Sequence, residues 1–187
     1  MQNKFTELAA AALTKSRLIA CEMGHTYIGT EHLLLGILSV PESAGADMLE
    51  SHAVTFSSTK ALMAELLGQG EETRLGNSDM TPRLRRAIEG SALEAAKYGQ
   101  SLIGTEHLLL AMLSQRDCVA VKGWIAVGAV IGELVADAGA FLLEMSDKKE
   151  KEAKAQSYQA NTAGASALSL YGRDLVEAAN SGRLDPV

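Results

Sequence analysis

Ile28-Gly29-Thr30-Glu31-His32-Leu33-Leu34-Leu35 reads IGTEHLLL, and the same eight residues return from Ile103 to Leu110. The displacement is 75 positions (103 − 28), and it holds well beyond the block. Phe5–Leu38 aligns on Met80–Leu113 without a gap. The block's eight pairs plus Thr6/Thr81, Ala12/Ala87, Ser16/Ser91, Leu18/Leu93, Ala20/Ala95, Gly24/Gly99 and Leu38/Leu113 make 15 identities in 34 positions. Unrelated segments of average composition would match at about two or three. A duplicated unit therefore organises the chain.

Each unit reads as helices. Thr6 and Thr81 are N-cap residues, and Pro82 falls at the first helical position, where its missing N–H costs nothing. Leu8, Ala11, Ala12, Leu18 and Ile19 recur at helical spacing, and Gly24 and Gly99 end the first helix of each unit. After a short loop, His25–Gly29 or Gln100–Gly104, Thr30 and Thr105 are expected to cap a second, very apolar helix. A third helix is predicted over Ser43–His52 and over Asp117–Ala126, which takes in Trp124 and Ile125. A fourth is predicted from Thr55 to near Gly68 and from about Val130 to Met145. The expected fold is all-α: a duplicated four-helix repeat forming a pseudo-twofold, eight-helix globular domain over 1–145. Its repeats are 1–70 and 79–145, joined by the polar, Gly-rich GQGEETRLGNSD. No stretch keeps a period of two, so no sheet is predicted. Residues 146–187 read as a flexible linker followed by a short segment, with too few large apolar residues to fold alone.

Composition narrows the function classes. The 187 residues carry a net charge of −6, with 47% hydrophobic and 4% aromatic residues. An acidic chain is a poor ligand for nucleic acid or for anionic membranes. No signal-peptide pattern begins the chain, and Trp124–Gly132, its longest apolar stretch, is too short to span a bilayer. Cys21 and Cys118 read as free, mostly buried thiols, and the expected location is cytoplasmic. No nucleophile motif occurs, and no Gly-Lys-Ser/Thr is present to make a phosphate-binding loop, so no catalytic residues are assigned. Glu31 and His32 are adjacent and point apart on a helix, as do Glu106 and His107, so no metal site is expected. No cofactor is expected in this chain.

In the repeated block, Gly, Thr and Leu are explained by helix entry, cap and core. Glu31 and Glu106 remain. A carboxylate in the first turn suits the helix dipole, which is one reading. The other is binding: free N–H groups hold an anion while the carboxylate holds a cation, best of all a guanidinium.

The two copies of GTEHLLL, each preceded by G-x-x-x-I at Gly24–Ile28 and Gly99–Ile103, resemble the duplicated N-terminal domain of the Clp ATPases, the unfoldase class of AAA+ proteins. FTELAAAAL and MTPRLRRAIE match the starts of that family's two repeats. The GTEH block is closer to the ClpC branch than to ClpB, and YGRDLVEAANSGRLDPV resembles the segment leading into the first ATPase module. The resemblance implies a domain that docks protein substrates and adaptor proteins. The ATPase modules, with ATP and magnesium, would then lie beyond Val187, in a full-length hexameric ring feeding a Clp peptidase, with the isolated domain monomeric. It also implies recognition of phosphorylated arginine by Glu31 and Glu106, with Thr30 and Thr105 beside them. The alternative is a free-standing regulator or decoy of the same fold without an ATPase.

Overall fold

The computed structural model describes residues 4–115, 118–126, 131–148 and 151. The first repeat comprises α1 (Glu7–Glu22), α2 (Thr30–Leu38), α3 (Ala44–Ser51) and α4 (Phe56–Leu67). After a short 3-10 turn at Asn77–Asp79, the second comprises α5 (Pro82–Lys97), α6 (Thr105–Leu113) and α7 (Val119–Ala126). Residues 131–144 are also helical and are called α8. The all-α, duplicated architecture follows the sequence pattern. The chain divides into two units, Met1–Glu144 and Met145–Val187. Of the second, 145–148 and 151 are described and are helical. The remainder of the segment expected to be a linker lies outside the described residues.

The helix ends form as their residues dictate. Thr6 Oγ1 accepts from Ala9 N–H and Thr81 Oγ1 from Leu84 N–H, each at 3.2 Å. At the other end, Gly24 and Gly99 adopt positive φ, +74° and +64°. There His25 N–H reaches Ala20 C=O and Gln100 N–H reaches Ala95 C=O, with Gly24 and Gly99 donating one residue further on, to Cys21 and Ala96. This paired closure needs a left-handed residue, which glycine supplies without a Cβ penalty. Ser43 and Thr55 cap α3 and α4.

The core forms around the two repeated helices. Every residue of α2 is buried, and so is every residue of α6 except Glu106. Placing two such helices at the centre requires the outer helices to come close. At the α1–α2 crossing Gly36 lies directly over the Ala12 carbonyl and Ser16, where any Cβ would overlap backbone. The second repeat moves the small residue across the crossing: Ala111 replaces the glycine on α6, and Gly90 on α5 faces it.

No strand forms among the described residues, yet two single parallel bridges do, and they define how the halves join. Phe5 pairs with Ile103, and Ile28 pairs with Met80. Ile103 N–H donates to Lys4 C=O (2.8 Å) and Thr6 N–H to Ile103 C=O (2.9 Å). At the equivalent positions, Ile28 N–H donates to Asp79 C=O (2.8 Å) and Thr81 N–H to Ile28 C=O (2.9 Å). Each repeat's leading segment thus lies against the other repeat's second-helix entry. The helices follow the same exchange, α3 packing on α6 and α7 on α2. The segment between the repeats is also more than a surface tether. Gly70 N–H donates to Met23 C=O, Thr73 N–H to Cys21 C=O, and the Thr73 hydroxyl to His25 C=O at 2.6 Å, tying it to the end of α1. No helix among the described residues is long and apolar enough to cross a membrane.

A folded-back carboxylate at the start of each repeated helix

Thr30 and Thr105, expected as N-caps, occupy the first helical position instead; Gly29 and Gly104 are the cap residues. Both glycines are extended, with φ of −107° and −93°, so neither is there for conformational freedom. They are there for space: a Cβ at either position would collide with the carboxylate of Glu31 or Glu106, which folds back over it. The capping acceptor comes from the third helical residue. His32 Nδ1 accepts Gly29 N–H, and His107 Nδ1 accepts Gly104 N–H, both at 2.9 Å. Burial is the main reason that His32 stays neutral, its pKa lowered to about 3, with the nearby His25 adding to the effect. With Nδ1 accepting, its proton sits on Nε2, which donates to His25 Nδ1 at 2.7 Å; His25 Nε2–H then donates to Gly68 C=O at 3.2 Å. This chain fastens the first loop to the end of α4. It gives His25 a structural role.

The freed threonine hydroxyls serve elsewhere. Thr105 Oγ1 accepts Gly45 N–H from α3 of the other repeat at 3.0 Å, so the repeated threonine holds the halves together. Each threonine also donates a long hydrogen bond, 3.4 Å, to its neighbouring glutamate.

The structure places Glu31 and Glu106 at equivalent second positions of α2 and α6, but in unequal surroundings. The Glu31 side chain is 3% exposed and that of Glu106 is 13%. Desolvation by burial raises the Glu31 pKa, and its own backbone N–H, the Thr30 hydroxyl and His25 only partly offset this. Glu31 Oε1 is buried and accepts no hydrogen bond. His32 Nδ1 lies 3.4 Å away, but its lone pair is engaged by Gly29 N–H and it carries no proton to give. A buried carboxylate oxygen facing no donor is costly and is suited to a cation brought by a ligand. Among the described residues no group of three or more His, Cys, Asp and Glu could hold a metal ion.

A second surface feature was not legible in the sequence. Between α1 and α5 runs a groove of about 620 Å³ lined by Phe5, Ala10, Leu13, Thr14, Arg17, Met80, Arg85 and Ile88. Phe5/Met80, Ala10/Arg85 and Leu13/Ile88 are partners at the 75-residue displacement, so the groove straddles the pseudo-twofold relation. Only the exchanged leading segments bring Phe5 and Met80 to it.

Fold and site define a class: a two-repeat helical domain whose halves interlock and which carries a glutamate at one helix start in each half, buried in the first and partly exposed in the second. The chain belongs to the Clp repeat (R) N-terminal domain family, whose model matches residues 4–123. It is 34% identical over 186 residues to the ATP-dependent Clp protease ATP-binding subunit ClpC of Staphylococcus aureus (strain USA300), covering 98% of this chain and 22% of that protein. It is 33% identical over 189 residues to the chaperone protein ClpB of Oceanobacillus iheyensis, covering 100% of this chain and 23% of that protein. The chain therefore spans less than a quarter of the length of these curated relatives, and the two branches match it almost equally. Among solved structures, the N-terminal domain of ClpD from Arabidopsis thaliana has the same fold. Its TM-score is 0.64 at 21% identity, covering 74% of this chain and 94% of that one. A complex of the ClpV N-domain with VipB peptide also shares it, with a TM-score of 0.56 at 19% identity, covering 75% of this chain and 88% of that one.

Proposed function

We propose that this chain is the substrate- and adaptor-docking domain of a ClpC-type protein unfoldase acting in the cytoplasm with a Clp peptidase. We further propose that it recognises phosphorylated arginine through Glu31 and Glu106, with Thr30 and Thr105 shaping the two helix starts. One observation carries the reading: the buried, unsatisfied Oε1 of Glu31 at the N-terminus of α2. Phosphoarginine joins a guanidinium to a phosphate. The guanidinium supplies the donors that this oxygen lacks, in a planar fork that suits a carboxylate. The phosphate is attracted by the positive end of the helix dipole. Both carboxylates fold back over Gly29 or Gly104, Glu31 buried and Glu106 partly exposed, so binding at Glu31 requires its carboxylate to swing outward. The groove between α1 and α5, apolar with Arg17 and Arg85 at its sides, supports docking of extended protein segments. The solved complex of a ClpV N-domain with VipB peptide supports peptide binding by a domain of this fold.

Calorimetric titration of the domain with free phosphoarginine tests the site. Parent protein binds, and Glu31→Ala combined with Glu106→Ala abolishes binding while far-UV circular dichroism stays the same. Equal affinity in the double variant, or no binding by the parent, refutes the assignment.

A further inference from the structure

The two carboxylate sites differ in the loop residues beside them. At the loop before α2 stands Tyr27, 38% exposed; at the equivalent position before α6 stands Leu102, 45% exposed. Tyr27 is not a loose surface ring. It stacks on the His25 ring, with centroids 5.9 Å apart and planes at 17°. It also meets the His32 ring edge-on at 6.0 Å. Those two imidazoles are joined through the hydrogen bond already described and are anchored to Gly29 N–H and Gly68 C=O. The ring is therefore braced on one side and open on the other. The Glu31 charge reaches it, raising the pKa of the Tyr27 hydroxyl together with burial, the larger cause. In the second repeat Gln100 replaces His25 and Leu102 replaces the tyrosine, so neither the aromatic surface nor its brace is present.

We propose that Tyr27 is a specificity-determining residue of the Glu31 site: its open face stacks on a planar guanidinium held by Glu31, whereas the Glu106 site, bordered by Leu102, lacks this contact. A guanidinium offers a flat, weakly hydrated face to an aromatic ring, which an ammonium does not. The Glu31 site is thus the tighter and more selective for arginine-derived groups, and the Glu106 site the more permissive. This rests on the carboxylates being the binding sites proposed above.

NMR titration with phosphoarginine in single-site backgrounds tests it. With Glu106→Ala isolating the first site, Tyr27→Leu weakens binding about two- to fivefold, the range of an exposed cation–π contact, and Tyr27→Phe restores it. The phenylalanine variant separates the ring from the hydroxyl and reports any loss of folding caused by the leucine. With Glu31→Ala isolating the second site, Leu102→Tyr strengthens binding by a similar factor. Unchanged affinity in both Tyr27→Leu and Leu102→Tyr, with phosphoarginine still bound by the parent, overturns the role of Tyr27 and leaves the proposed function standing. Failure of the parent to bind overturns both. Failure of Tyr27→Phe to restore binding assigns the effect to the hydroxyl and also overturns the stacking role.

Discussion

Acidifying the domain from about pH 8 to about pH 5 will cost the fold about 2 kcal/mol through His32 alone. The imidazole is fully enclosed, and its pKa falls from 6.5 to about 3 on folding, chiefly by burial. Between those two values the unfolded chain binds a proton that the folded chain refuses. Stability is therefore fully present above pH 6.5 and is lost as pH falls toward 3. By about pH 5 the unfolded imidazole has passed its own pKa by roughly 1.5 units, and each unit is worth about 1.36 kcal/mol. For a domain near 150 residues this lowers Tm by roughly 4–8 °C. Glu31 acts in the opposite sense: its carboxyl pKa is raised in the fold, so it favours the folded state as pH falls through that value. The comparison protein is His32→Asn, whose side-chain oxygen can still accept Gly29 N–H but does not titrate. Measuring the pair in a Glu31→Gln background removes the neighbouring carboxyl, 3.4 Å from the imidazole, from the comparison. Thermal melts followed by far-UV circular dichroism, with the pH stepped across this window, should show the parent losing this margin relative to the variant. Parallel losses in the two proteins would refute the assignment of His32 as a neutral, buried cap.

Gly36→Ala should destabilise by about 1–3 kcal/mol, because its Cβ overlaps the Ala12 carbonyl at the α1–α2 crossing. Gly90→Ala on the matching crossing should be neutral or stabilise by up to about 1 kcal/mol. Its Cβ would lie an ordinary 3.5 Å from that of Ala111, and alanine is the better helix former. Urea denaturation of the pair measures both. Thr105→Val leaves the buried Gly45 N–H without its 3.0 Å acceptor and should cost about 1–3 kcal/mol, read as a lower urea midpoint. Glu31→Gln should raise Tm at neutral pH while weakening phosphoarginine binding. Its stabilising effect should shrink on acidification, since the parent's carboxyl protonates early in the fold. A Tm advantage independent of pH would contradict the raised pKa.

Much of the fold is local chemistry that a single strand of sequence displays. Thr6, Thr81, Pro82, Gly24 and Gly99 mark helix ends because capping and left-handed turns involve residues only a few positions apart. The repeated leucines announce the two core helices because burial on all sides leaves few polar positions. The repeat itself reveals the internal symmetry and singles out Glu31 and Glu106 as the residues that folding alone does not explain. The roles within the block were less legible. Thr30 and Thr105 resemble caps in sequence, yet histidine three residues beyond the glycine supplies the acceptor, and Thr105 turns to Gly45 sixty residues away. Gly29 suggests conformational freedom, but its value is the space left for a folded-back carboxylate.

Those decisions belong to tertiary structure because they depend on which surfaces meet. Spacing along the chain cannot show that Phe5 pairs with Ile103 and Met80 with Ile28, which interlocks the repeats and forms the groove between α1 and α5. Nor can it show that His25, Tyr27 and His32 form one braced group beside Glu31. The sequence by itself determined the helices, the ends of α1 and α5 and the twofold plan, since each follows from backbone sterics and local hydrogen bonding. The tertiary structure decided which carboxylate is desolvated and what faces it, since burial and electrostatics depend on neighbours brought together by the chain's return on itself.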